Sequence, residues 1–205
     1  MHAKENAVSD AEAQWIVQAQ QGDDQAFANL VEAYQTPVFN LCYRMLGDGP
    51  EAEDAAQETF LRAYRAIRRY DNTRSFATWL LSIASHYCID QIRRRRMQLV
   101  SIDTTPGEAI PAPVLTPEGE ANLSEEQRQV QELLASLAPT DRAAVTMYYW
   151  YDYSYEEIAQ ALSLSLSAVK SRLHRARRLL AEAWQKKHTS KPRPLEGRRH
   201  ESPAY

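Results

Sequence analysis

Glycine is scarce in this chain, with six residues in 205, and cysteine scarcer, with only Cys42 and Cys88. Two cysteines without a CxxC or a paired-histidine spacing cannot staple a small fold or hold a structural zinc, so a disulfide scaffold and a zinc ribbon are excluded. No apolar run approaches the ~18 residues that a membrane-spanning helix needs, so no membrane insertion is expected. The first ten residues, MHAKENAVSD, lack the apolar core of a secretory signal. Neither strand-like alternation nor an internal repeat is present. No sign of charge dominates: 24 basic and 27 acidic residues leave −3, so the chain as a whole is not a nucleic-acid coat. What remains is a protein expected to be cytoplasmic, of ordinary composition, long enough for one or two small domains.

The punctuation predicts helices throughout. Gly22-Asp23-Asp24 reads as a break and an N-cap. Before it, Ser9 and Glu12 have the spacing of a capping box. Phe27, Leu30, Val31 and Tyr34 recur at helical spacing, and a further apolar run covers Val38 to Leu46. Pro50 followed by Glu51, Glu53 and Asp54 suits the first turn of a helix reaching about Tyr70. Ser75 caps the next, which runs from Phe76 to about Met97 on a stripe of Phe76, Leu80, Ile83 and Tyr87 and ends in Arg93-Arg94-Arg95-Arg96. Residues 98–123 differ: four of the ten prolines, four acids and no lysine or arginine mark an acidic linker. Its 26 residues, fully extended, would span roughly 85–95 Å. Helices resume at Ser124, whose spacing to Gln127 is again a capping box. The fold class is all-α: two small helical domains on a flexible acidic linker. The expected divisions are a disordered 1–9, a first domain 10–97, the linker 98–123, a second domain 124–187 and a disordered tail 188–205.

The second domain ends in a helix-turn-helix pattern. Two helices, from Ser154 and from about Leu166, flank a turn of about four residues, and Ile158, Ala159, Leu162, Leu164, Val169 and Leu173 fall where such a pair packs. On the second helix Lys170, Ser171, His174, Arg175 and Arg178 form another face. Between Leu166 and Lys187 there are seven basic residues and one acid, Glu182, a local charge of +6 in a chain of −3. A helix charged on one side suits the major groove, where Lys and Arg reach phosphates and guanine edges. The competing account is a solvated basic helix on an ordinary bundle.

In the first domain a helix face runs from acidic to basic between Asp54 and Arg69. A polar turn, Arg68-Arg69-Tyr70-Asp71-Asn72-Thr73-Arg74, follows. The next helix carries Trp79, Ser82, His86 and Asp90 along one stripe. Aromatics interleaved with arginines beside a tight loop suit unpaired nucleic acid, since arginine follows the backbone and an unstacked base needs a surface. Core packing of Tyr70 and Trp79 is the alternative.

These blocks match a family. GDDQAFANLVEAYQTPVFNLCYRMLGD, EAEDAAQETFLRAYRAIRRYD and SFATWLLSIASHYCIDQIRRRR together resemble domain 2 of bacterial sigma factors of the extracytoplasmic-function group, and YSYEEIAQAL with VKSRLHRARRLLAE resembles their domain 4. The resemblance covers about 150 of 205 residues in the family's order. It implies a division of labour. Asp54, Gln57, Glu58 and Arg62 would dock on the clamp helices of the core RNA polymerase. Arg68, Arg69, Tyr70, Asn72, Arg74 and Ser75 would capture a base flipped from the −10 element, an extrusion that costs a few kcal/mol. Trp79, Ser82, His86 and Arg93 would meet neighbouring −10 DNA. Lys170, Ser171, His174, Arg175 and Arg178 would meet the −35 element. The expected partners are core polymerase, promoter DNA and a sequestering anti-sigma factor, with the chain a monomer within the holoenzyme.

The chain departs from the family at His86, where Asn is frequent, and in the turn, where Ser163, Ser165, Ser167 and Ala168 replace a common Gly, Pro, Gly and Thr. No carboxylate pair, Ser/His/Asp set or metal-ligand spacing is visible, so neither covalent chemistry nor a cofactor is expected. Cys42 and Cys88 fall in apolar helical stretches and are expected in the core. The alternative function is a helix-turn-helix regulator acting without core polymerase.

Overall fold

A computed structural model describes residues 2–102 and 124–189. Most of the expected linker, 103–123, and the tail from residue 190 lie outside the described residues. Within them all regular structure is helical.

Helix α1 spans His2–Gln20. HAKENAVSDAEAQ is rich in good helix formers and meets no breaker before Gly22, so Ser9 falls inside the helix rather than at its cap. Gly22 ends it at φ +99°, where an L side chain is strained. Helix α2 spans Asp24–Leu46. The Asp23 carboxylate caps it, accepting from the N–H groups of Gln25 and Ala26 at 2.8 and 3.1 Å. Pro37 lies inside α2, so the two apolar runs read from the sequence are one helix. Proline removes one backbone bond, but Val38, Leu41, Cys42 and Met45 behind it are fully buried and hold the helix on course. Gly47, at φ +81°, closes α2 by donating to the Tyr43 carbonyl at 2.8 Å.

Helix α3 (Gly49–Ala66) starts under the Asp48 carboxylate, which accepts from Glu51 N–H at 2.9 Å. It tightens into a 3-10 turn, Ile67–Arg69, before the expected end at Tyr70. Helix α4 (Phe76–Ile102) is capped by the Ser75 hydroxyl and continues five residues past Met97, into the segment read as linker. Gln98 to Ile102 contain neither glycine nor proline, so nothing stops the helix there.

The second domain comprises α5 (Glu125–Ala135), α6 (Pro139–Trp150), α7 (Tyr155–Ala161) and α8 (Leu166–Thr189). Ser124 with Gln127, and Ser154 with Glu157, form reciprocal capping boxes. Ser163 sits at φ +54° in the turn between α7 and α8, the left-handed region where the family commonly places glycine.

The two domains are not held apart. Helices α5 and α6 pack on α2, and α6 and α7 pack on α4. This explains why α4 buries more than its predicted stripe: Leu81, Ala84, Ser85, Cys88, Ile89 and Ile92 are buried as well as Leu80. Cys42 and Cys88 are both free and buried, as expected. The hydrogen bond that the Cys88 thiol donates to Cys42, together with burial, holds it well above its ordinary pKa, so it behaves as a small core hydrophobe.

Candidate nucleic-acid interface

Helix α8 separates its two faces. Val169, Leu173 and Ala176 are fully buried against α6 and α7. Lys170, Ser171, His174, Arg175 and Arg178 are all exposed. The Ser165 hydroxyl accepts from Ala168 N–H at 3.2 Å, so serine supplies the cap of α8 where the turn departs from the family pattern. The helix is pinned by Asp141, which is buried at the start of α6. Its carboxylate accepts from Arg172 Nη1 at 2.6 Å and lies 3.3 Å from Arg175 Nε. Arg177, on the side of α8 facing the other helices, donates to the hydroxyls of Tyr149 and Tyr155 and lies over the Tyr148 ring. Those hydroxyl contacts raise its pKa further, so it stays charged and serves as a strut. Arg178 pairs with Glu182 at 3.5 Å across one helical turn.

In the first domain, Arg68, Arg69, Asn72, Arg74 and Ser75 are exposed around the loop between α3 and α4. Tyr70 is not. Its ring is buried, 4.8 Å from the Trp79 centroid and 5.5 Å from that of Phe76, and its hydroxyl donates to the Arg74 carbonyl. Tyr70 therefore shapes the loop from below. An aromatic in an otherwise polar turn is the residue most able to bury area, which is why it points inward. Asp71 makes a local turn by accepting from the Thr73 N–H and hydroxyl at 3.0 and 2.8 Å, and these bonds hold its carboxyl below the usual range. Beside the loop lies a recess of about 260 Å³, lined by Glu12, Ile16, Tyr70, Asn72, Arg74 and Ser75 among others.

Along α4, Trp79 and Ser82 are half-buried and His86 is exposed. The Ser82 hydroxyl donates to the Trp79 carbonyl at 2.6 Å, and His86 Nδ1 lies 2.8 Å from the Ser82 carbonyl. If Nδ1 carries the proton into that bond, Nε2 faces outward as an acceptor. Arg93, farther along the helix, is exposed with its guanidinium 4.0 Å from Asp90.

Asp54, Gln57 and Arg62 are exposed on α3, and Glu58 is half-buried beside them. Glu58 accepts from Arg62 Nε at 2.7 Å. Gln57 also lines a groove of about 410 Å³ between α2 and α3, walled by Val31, Phe39 and Phe60. The three predicted patches therefore occur on separate elements: α3, the α3–α4 loop with α4, and α8.

Models of two families match the chain: sigma-70 region 2 over residues 30–97 and sigma-70 region 4 over residues 123–180. The ECF RNA polymerase sigma factor SigW of Bacillus subtilis is 36% identical over 172 residues, which cover 80% of this chain and 92% of that protein. The chain belongs to the ECF RNA polymerase sigma factors. It is an alternative sigma factor of transcription initiation. SigE of Mycolicibacterium smegmatis is also 36% identical, over 78% of this chain and 62% of its own. The solved structure of CnrH in complex with the cytosolic domain of CnrY has the same fold, with a TM-score of 0.64 at 24% identity, covering 86% of this chain and 98% of that one. A regulator acting without polymerase is not favoured, because region 2 accounts for the first domain.

Three residues of this sigma factor were not singled out from the sequence. Gln20 donates from α1 to the carbonyls of Ile67 and Tyr70 at 3.2 and 2.8 Å and accepts from Asn72 at 3.0 Å, tying the loop to α1. Asp141 organises α8. Arg142 is 2% exposed and joins the two domains. Neither Gln20 nor Arg142 has any local signal, since their partners lie 47 and 97 residues away. Asp141 had one, an acid in the first turn of a helix, but that signal points only to capping.

Proposed function

We propose that this sigma factor divides initiation among the three patches. Asp54, Gln57, Glu58 and Arg62 dock on core polymerase. The loop residues Arg68, Arg69, Tyr70, Asn72, Arg74 and Ser75 receive an unstacked −10 base, with the recess between α1 and the loop, which Tyr70 lines, as its seat. Trp79, Ser82, His86 and Arg93 meet the adjoining bases and backbone. Lys170, Ser171, His174, Arg175 and Arg178 enter the major groove at −35. The observation that carries this reading is the division of α8 into a buried apolar face and an exposed basic one, on a helix-turn-helix whose partner domain presents an arginine-rich loop tied to α1 by Gln20.

The chemistry is binding, not bond making. Arginine and lysine neutralise phosphates and release counterions, which gives affinity and salt dependence. Trapping an extruded base recovers the few kcal/mol that unstacking costs and thereby favours the open duplex. The protein performs no covalent step, works in the cytoplasm, and joins the holoenzyme as a monomer. CnrH is recorded bound to the cytosolic domain of CnrY. By analogy an anti-sigma factor sequesters this chain.

Run-off transcription with purified core polymerase on a randomised promoter library tests the reading. RNA starting at defined positions, with two enriched upstream elements, is the expected result. Unenriched or absent initiation removes it.

A further inference from the structure

Gln20 closes α1 just before the chain turns at Gly22, and Ile16 and Ala19 beside it are buried, so this end of the helix is fixed in the core. From there the Gln20 amide nitrogen donates to the Ile67 carbonyl at 3.2 Å and to the Tyr70 carbonyl at 2.8 Å. Backbone carbonyls only accept, so these two bonds decide which way the amide is turned: nitrogen toward the loop's main chain, oxygen toward Asn72. Asn72 then has to present its own nitrogen, and it donates to Gln20 Oε1 at 3.0 Å. An amide is planar, with oxygen and nitrogen on opposite branches. With its nitrogen held by α1, Asn72 turns Oδ1 away from Gln20 as an acceptor. Asn72 is exposed and lines the recess beside the loop. Two main-chain carbonyls thus fix, through one side chain, the hydrogen-bonding sense of another on the rim of that recess.

Holding the loop in place accounts for the bonds to Ile67 and Tyr70, which lie at the two ends of the 3-10 turn. It does not account for the third bond, which orders an exposed side chain that has water as an alternative partner and so adds little stability. The consequence of that bond is directional. Other groups around the recess also have a fixed sense. Glu12 accepts from the Tyr34 hydroxyl at 2.9 Å and, as a carboxylate, only accepts. Arg74 only donates. Ser75 Oγ accepts from Thr78 N–H at 3.3 Å, which leaves its own proton to donate. A flipped base is read along its Watson–Crick edge. Adenine and cytosine carry there an amino donor beside a ring-nitrogen acceptor, and guanine and thymine carry a carbonyl in place of that amino group. The amino group meets Asn72 Oδ1 as donor to acceptor, with Arg74 or Ser75 to serve the ring nitrogen. A carbonyl in the same place sets lone pair against lone pair.

We infer that Gln20 is a positioning residue for base capture: by fixing the Asn72 amide it makes the seat select an unstacked base with an exocyclic amino group, adenine or cytosine, over guanine or thymine. The inference rests on the reading of the recess as the seat of a −10 base. Gln20 itself touches no DNA. Without it the Asn72 amide is free to turn over and offer either oxygen or nitrogen, so discrimination is lost while the loop arginines still hold the backbone.

The test uses holoenzyme assembled from core polymerase and the full chain, on forked promoters. Each unpaired non-template position of the −10 element carries in turn adenine, cytosine, guanine, thymine, purine or pyrimidin-2-one, the last two being adenine and cytosine without the amino group. At one position the wild type is expected to bind adenine over purine, or cytosine over pyrimidin-2-one, about fivefold, the worth of a single hydrogen bond. Gln20→Met keeps the length of the side chain without its polar atoms and should abolish that ratio. Gln20→Met combined with Asn72→Asp should restore it, since a carboxylate accepts whichever way it turns, and the effect of its charge on overall affinity cancels in a ratio. Asn72→Ala leaves the bonds from Gln20 to the loop in place and should also abolish the ratio. Melting confirms that each variant is folded. A ratio kept in Gln20→Met, with affinity lowered by one common factor on every template, would make Gln20 merely structural and overturn the inference, as would a ratio kept in Asn72→Ala. A wild-type preference for guanine or thymine at that position overturns it as well, with the assigned function intact. A holoenzyme that opens none of the promoters removes the functional reading itself and the inference with it, a failure that none of these ratios imitates.

Discussion

Arg62 reaches from α3 to lie over the ring of Tyr87 on α4, with its guanidinium carbon 4.8 Å from the ring centroid. The same guanidinium holds Glu58 at 2.7 Å. The patch proposed for polymerase is therefore attached to the helix proposed for the −10 element, through one side chain stacked on the residue after His86. A planar cation over an aromatic face contributes about 0.5–1 kcal/mol at an exposed site, enough to favour one rotamer.

Asp54→Ala with Glu58→Ala should weaken core-polymerase binding about tenfold or more while leaving the fold intact. Neither side chain is buried, so surface truncation should cost within about 0.5 kcal/mol of stability each. Titration of labelled core polymerase, alongside thermal melts, separates the two effects. Unchanged core affinity would mean that α3 docks elsewhere or not at all.

Lys170→Ala and Arg175→Ala should each weaken −35-dependent initiation while core binding survives. For a phosphate contact the loss is uniform across promoter sequences and the salt slope falls by about one. For a base contact one position relaxes and about 1–3 kcal/mol is lost at that base. Arg175 commits its Nε edge to Asp141 at 3.3 Å, leaving both Nη groups for DNA. Arg175→Lys should therefore restore a phosphate contact but not a bidentate base contact. Initiation rates across salt and across −35 variants distinguish these cases.

Much of this was legible before any coordinates. The caps at Asp23, Ser75, Ser124 and Ser154 are local signals, and each helix begins where they place it. The faces of α8 follow from period 3.6 alone, so its exposed row of five needed no tertiary knowledge. Other features were hidden by their nature. Tyr70 reads equally as a base-contacting aromatic or as core, and only the neighbouring rings of Phe76 and Trp79 show that it is buried. The continuous α2 defied the proline rule because burial outweighed one lost bond. The docking of the domains was not legible, because Arg142 answers to carbonyls that carry no sequence signature.

Asp141→Asn should destabilise the second domain by about 2 kcal/mol, since it removes the charge from a carboxylate that receives two guanidinium groups. The side chain is 5% exposed while its partners Arg172 and Arg175 are 31% and 52% exposed, so water screens part of the pair and the larger cost of a fully buried ion pair does not apply. Asp141→Ala should cost more, leaving Arg172 without its acceptor. Urea unfolding followed by far-ultraviolet circular dichroism gives the difference. A midpoint unchanged in both variants would remove Asp141 as the organiser of α8.

Tyr70→Phe isolates the loop from its surface. The ring packing on Phe76 and Trp79 is kept, and only the hydroxyl bond to the Arg74 carbonyl is lost. Removing one such bond costs about 1 kcal/mol, or roughly fivefold in the population of the ordered loop. Strand opening should fall by about that factor, with duplex −35 binding and core affinity unchanged. Asp71 offers a matching pH signature in the free chain. Its carboxyl is held below the usual range by Thr73, so the order it lends the loop is complete above the unfolded carboxylate pKa and is lost as the pH falls through the lower folded value. Amide exchange at Thr73, protected near neutrality and quickening beyond the intrinsic trend below about pH 4, is the expected pattern. Protection that is absent at neutral pH would show the loop to be unformed before DNA arrives, and a preformed seat for the base would have to be abandoned.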